Sequence, residues 1–280
     1  MGRGQRWAAV RIGVALSAAW STRAAAQPEA PATEVTGSES ESSHDNGTSS
    51  ALEPATWSLR LSAGGGIGSR EFAWPMDGSI NQARTGVFPA VDLGFDLDHV
   101  VSKAIQVGLL VRYQSSIGLV LVEHLTNGDE QARDARSHRL ELGIVPTVRF
   151  DARRRWALSG AIGYGISDFR PQGHLVTPAY FLAGPYLRVE LQLPLGSDRV
   201  RLRVGPEAQW IVQIGQELVQ RSVATGGWGV GGAAALEVVL SQRWILAATY
   251  RELRSWLDSP PSGTFEDVTR FVTGRLTGAL

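Results

Sequence analysis

Residues 181–214 read FLAGPYLRVELQLPLGSDRVRLRVGPEAQWIVQI, and the chemistry changes at nearly every step. Phe181, Ala183, Pro185, Leu187, Val189, Leu191 and Leu193 alternate with Gly184, Tyr186, Arg188, Glu190 and Gln192. After a short link at 196–198, Val200, Leu202, Val204, Pro206, Ala208, Trp210, Val212 and Ile214 alternate with Arg201, Arg203, Gly205, Glu207, Gln209 and Gln213. Successive side chains of a β-strand point to opposite faces, so a period of two means strand. Each of these strands has one apolar face and one face carrying arginine and glutamate.

The same period runs outward in both directions. Strands are expected to begin near Trp57, Val87, Ile105, Arg139 and Trp156 before this pair, and near Trp228, Trp244 and Val268 after it. Together they give an all-β fold of about ten strands, within a range of eight to twelve. Short connections at 98–104, 151–155, 196–198 and 241–243 alternate with long ones at 69–86, 115–138, 167–179, 215–227 and 257–267. Several strands reach about ten residues, the length of a tilted β crossing of a bilayer. Short turns on one rim and long loops on the other complete the pattern of a closed antiparallel transmembrane β-barrel.

Charge sets the expected orientation. The polar faces carry Arg60, Asp92, Arg112, Arg139, Glu141, Arg149, Arg188, Glu190, Arg201, Arg203, Glu207, Arg251 and Arg275. The apolar faces are bulky and nearly free of charge; Arg270 is the clearest exception. Ten strands enclose a narrow lumen. The mixture of long arginines with glycine and alanine suits that crowded interior, and the uniform Leu, Val and Ile face suits lipid. Aromatics sort by position along the strands. Trp57, Phe95, Phe150, Trp156 and Trp244 sit at short-turn ends; Tyr113, Tyr164, Phe181, Trp210, Trp228 and Tyr250 sit toward long-loop ends. Two such girdles are expected where amphipathic rings meet two membrane–water interfaces.

On this architecture, residues 57–280 resemble the small, monomeric β-barrel proteins of the bacterial outer membrane. The resemblance implies a monomer in outer-membrane lipid, delivered by the barrel-assembly machinery, with both termini periplasmic in a Gram-negative envelope. Val272, Leu276 and Leu280 are similar to the C-terminal strand signal read by that machinery, which usually ends in an aromatic where this chain has leucine. Ten-stranded outer-membrane proteases use Asp and His at the outer rim. His174 could approach Asp168 there, but no matching paired-acid motif is present.

The N-terminus suits that route. Residues 1–26 have the parts of a secretory signal peptide: Arg3, Arg6 and Arg11, a short apolar stretch from Ile12 to Trp20, and Ala24-Ala25-Ala26 before Gln27. Residues 27–56 carry six acids and no base, with Pro, Ser, Thr and Gly throughout, and are expected to be a disordered acidic leader. The remainder is nearly neutral within a chain of net charge +0, so no nucleic-acid partner is expected.

Catalytic and cofactor signals are weak. With no cysteine, thiol catalysis, Cys-ligated metal and lipoprotein acylation are excluded. No His pairs with another at metal-ligand spacing, and no cofactor is expected. Gly227-Trp228-Gly229-Val230-Gly231-Gly232 matches G-x-G-x-x-G, but a dinucleotide site needs that turn between strand and helix, and here it falls within an alternating strand. The expected role is therefore non-enzymatic: a structural or surface-interaction barrel whose inward Arg and Glu pair into a plug. A small-solute channel with an arginine constriction, a secreted soluble β-barrel binding protein and a rim hydrolase are the alternatives.

Overall fold

The computed structural model describes residues 57–76, 79–124, 129–150, 156–173, 177, 179–215, 226–259 and 263–280. The expected signal peptide (1–26) and leader (27–56) lie outside the described residues. Ten strands form a closed antiparallel ring. In ring order they are β1 (Trp57–Met76), β3 (Phe88–Val100), β4 (Ile105–Ser116), β6 (Glu130–Arg149), β7 (Ala157–Pro171), β8 (Tyr180–Leu195), β9 (Ser197–Ile211), β11 (Gly226–Val239), β12 (Trp244–Ser259) and β13 (Gly263–Ala279). The ring closes because β1 pairs on both edges, with β3 from Trp57↔His99 to Gly68↔Phe88 and with β13 from Arg60↔Ala279 to Ala73↔Glu266. At this seam a Cβ on Gly66 would lie 2.0 Å from the Val272 carbonyl oxygen, so glycine lets the first and last strands meet.

Through the lower part of the barrel the apolar face points out. Leu61, Ile67, Leu93, Leu109, Leu142, Ile144, Ile162, Val204, Leu236 and Leu276 are exposed, while Asp92, Glu141, Glu207, Gln209 and Thr273 are buried inside. Water would meet a continuous apolar belt around the whole wall, and in a bilayer that belt meets acyl chains instead. The wall is thus that of a membrane-spanning barrel.

The strands outlast the belt. β1 and β6 are each 20 residues long, whereas a tilted crossing takes about 9–11. Three further segments extend the wall on the long-connection side: β2 (Ser79–Thr85), β5 (Leu119–His124) and β10 (Gln213–Ile214). β2 pairs with β1 and β5, and β5 pairs with β6, so these two strands take over from β3 and β4. The loops expected at 69–86, 115–138 and 257–267 are therefore largely strand. Alternation continues through them with its chemistry reversed. On β1, Phe72 and Trp74 are buried while Glu71 is exposed; on β13, Phe265 and Phe271 are buried while Glu266 and Arg270 are not. Beyond the lipid the outside is water, so the apolar residues turn inward. They join Phe88, Leu119, Leu121, Phe169, Tyr180, Leu182, Ile211 and Leu257 in one packed core that fills this end of the barrel.

Candidate functional site: a three-level lumen

At the short-turn end, the inward charges pair along the wall with neighbouring strands. Arg60 bonds Asp98, and Arg112 lies 3.0 Å from Asp96 and 3.1 Å from Ser62. Arg275 lies 2.9 Å from Asp92. Arg203 bonds Glu190 and lies 3.0 Å from Glu237. Arg149 donates to Gln106 at 2.6 Å. Because these pairs hug the wall, a cavity of about 460 Å³ remains along the axis.

At mid-height the pairs cross the lumen. Glu141 on β6 accepts from Arg139 at 2.7 Å, Arg188 at 2.6 Å and Arg251 at 2.5 Å. Glu207 on β9 accepts from Arg251 at 2.7 Å and Arg188 at 3.2 Å. β6 and β12 stand opposite each other in the ring, so the Glu141–Arg251 contact bridges the full width. Buried charges persist only when paired and hydrogen-bonded, and here the two carboxylates hold three guanidinium groups.

Above this crossbar stands Arg70, only 2% exposed. It grips Asp267 with two nitrogens, at 3.0 and 2.7 Å, and donates to Ser137 at 2.7 Å. Tyr180 donates its hydroxyl to the same Asp267 at 2.7 Å. The Arg70 guanidinium lies 5.1–5.4 Å from the ring centres of Phe72, Phe169 and Tyr180, which begin the aromatic core. Between the crossbar and that core lies a cavity of about 20 Å³, room for about one water.

The expected lumen residues Arg60, Arg112, Arg139, Glu141, Arg188, Glu190, Arg201, Arg203, Glu207, Arg251 and Arg275 therefore all face the interior, but at two levels with different partners. Arg201 has no ion-pair partner among the described residues. The expected girdle residues Trp57, Phe150, Trp156 and Trp244 are exposed beside the short turns. Tyr113, Trp210, Trp228 and Tyr250 are exposed toward the other end, and Tyr164 is half-buried. The Gly227–Gly232 run lies within β11. His174 lies outside the described residues, and Asp168 pairs with Arg170 at 2.9 Å.

Sequence reasoning missed Arg70, Asp267, Tyr180 and the aromatic core. The signal was present: Arg70-Glu71-Phe72-Ala73-Trp74 and Phe265-Glu266-Asp267-Val268-Thr269-Arg270-Phe271 still alternate, with bulk on the face that carries charge lower down.

No protein-family model and no curated protein sequence matches this chain. Solved structures do. The outer-membrane protease OmpT from Escherichia coli is 9% identical, with a TM-score of 0.47, over 80% of this chain and 97% of that one. The translocator domain of the autotransporter NalP from Neisseria meningitidis is 11% identical, with a TM-score of 0.43, over 79% of this chain and 88% of that one. The outer membrane protein OprG from Pseudomonas aeruginosa is 7% identical, with a TM-score of 0.36, over 79% and 95%.

Proposed function

We propose that the protein is an integral barrel of the bacterial outer membrane that does not conduct, and that it acts through its long-connection end as a structural or surface-interaction element. The apolar belt supports the membrane setting, and the short turns are assigned to the periplasm. The observation that carries the reading is the packed aromatic core across the opposite end. Phe72, Phe88, Phe169, Tyr180 and Phe265 are each at most 3% exposed there, immediately above the Arg70–Asp267 pair. A hydrated solute crossing this barrel would have to displace both a dry core and a bidentate ion pair. Outside that core the wall presents Glu71, Arg254, Glu266 and Arg270, a mixed charged surface suited to contacts in water.

The test is electrical. The refolded chain, inserted in a planar lipid bilayer, is expected to give no current steps above those of the bare membrane. Persistent single-channel steps from the unaltered protein would refute the sealed reading.

A further inference from the structure

The cavity below the crossbar has a composition that sealing alone does not require. Its space comes from small inward side chains: Ala157 and Ala161 on β7, Ala233 and Ala235 on β11, and Ala247 and Thr249 on β12. A lumen built only as a plug would carry bulk at these positions, as the aromatic end does. The charge is also unbalanced. Among the described residues nine arginines and six carboxylates line the cavity, and Glu207 behind them is the seventh acid of the network. Each of those acids already has an arginine partner, so the surplus is cationic.

Arg201 embodies the surplus. It projects into the cavity from β9, in register with Glu237 of β11, but Glu237 is taken by Arg203. The Arg201 Nε is buried without a hydrogen-bond acceptor, and so is the Nε of Arg60. Placing a guanidinium N–H in a walled space with no acceptor costs free energy that an anion would return. The cavity, at about 460 Å³, falls in the size range of small-molecule sites.

We propose that this chamber binds a small anionic solute bearing carboxylate or phosphate groups, held by Arg201 with help from Arg60. Rim residues Gln106, Arg149, Gln192 and Thr277 lie beside the short turns, which makes that end the route in. The chamber then serves as a blind binding cup on the periplasmic side rather than as part of a pore.

The test uses the full mature barrel refolded in detergent, with inorganic phosphate and succinate as probes and putrescine as the cationic control. Binding is measured by titration calorimetry at constant ionic strength. At least one anion is expected to bind with a Kd below about 1 mM, and putrescine is expected not to bind. Arg201→Gln, which removes the unpartnered cation, is expected to weaken binding at least about tenfold. Ala235→Leu fills the chamber without changing its charge and is expected to do the same. Altered gel mobility before and after boiling verifies that each variant is folded. Should Arg201→Gln fail to fold, Ala235→Leu carries the test alone. Absence of binding by both anions, equal binding of putrescine, or unchanged affinity in the folded variants would each overturn the proposal.

Discussion

Glu141→Gln is the sharpest perturbation of this barrel. The side chain is 2% exposed and is the shared acceptor of three arginines from β6, β8 and β12. The amide keeps the volume and removes the charge, and its NH2 group points a donor at guanidinium groups that need acceptors. Arg139, Arg188 and Arg251 are then left with Glu207 as the one remaining carboxylate of the crossbar. Removing one partner from a buried ion pair costs about 3–5 kcal/mol, because the stranded charge stays desolvated. The chamber beneath gives some hydration, which sets the expectation at the lower end, about 3 kcal/mol. Urea unfolding of the barrel in lipid vesicles, followed by tryptophan fluorescence and gel mobility, measures it. The pairing also predicts coupling. Adding Arg251→Met removes one of the surplus cations, so the double variant should be less destabilised than the sum of the singles by about 1–3 kcal/mol. Since the network is shielded from the bulk, the loss should change little between low and high salt. A cost below about 1 kcal/mol for Glu141→Gln, or strict additivity with Arg251→Met, would show that the crossbar does not hold the barrel as described.

Other perturbations probe the two environments of the wall. Leu109→Arg, in the middle of the belt, should cost about 2–4 kcal/mol in lipid, while Val120→Arg on β5 above the belt should change stability by less than about 0.5 kcal/mol; urea titration in vesicles compares them. Phe265→Ala, in the fully buried centre of the aromatic core, should cost about 3–5 kcal/mol by the same titration. Gly66→Val should prevent the β1–β13 seam from closing, seen as a chain whose gel mobility no longer changes on boiling. These outcomes separate a wall that faces lipid at one height and water at another from a wall uniform along its length.

The membrane-spanning half was legible in the sequence because one rule held throughout it. Leu61, Leu93, Leu109, Leu142, Leu236 and Leu276 face out wherever lipid is outside, and Arg60, Asp92, Arg112, Glu141 and Arg275 face in. The other half was hidden because the rule changes sign there. Glu71 and Arg270 face water, and Phe72 and Phe271 face the axis. A reading that expects apolar residues outside finds no strand at 69–76 or 263–267. Partner identity was legible only by type. Nothing in local spacing shows that Glu141 meets Arg251, 110 residues away, or that Arg70 meets Asp267, 197 residues away. Those contacts follow from ring closure, which places β6 opposite β12 and β1 beside β13.

The sign change also accounts for how charge satisfaction varies along the axis. Where lipid surrounds the wall, water reaches the lumen only from its ends, and on the proposed reading the aromatic core closes one of them. Ionic groups near that core must then be satisfied entirely by protein. Arg70 and Asp267 have side chains 2% and 4% exposed, and Glu141 and Glu207 share their arginines at mid-height. Toward the short turns the requirement relaxes. Arg60 and Arg203 have side chains 35% and 33% exposed. A through-channel would be hydrated from both rims and driest in the middle. On the proposed sealed reading this lumen is driest at one rim and wettest at the other, and a solute that reaches Arg201 leaves by the mouth through which it entered.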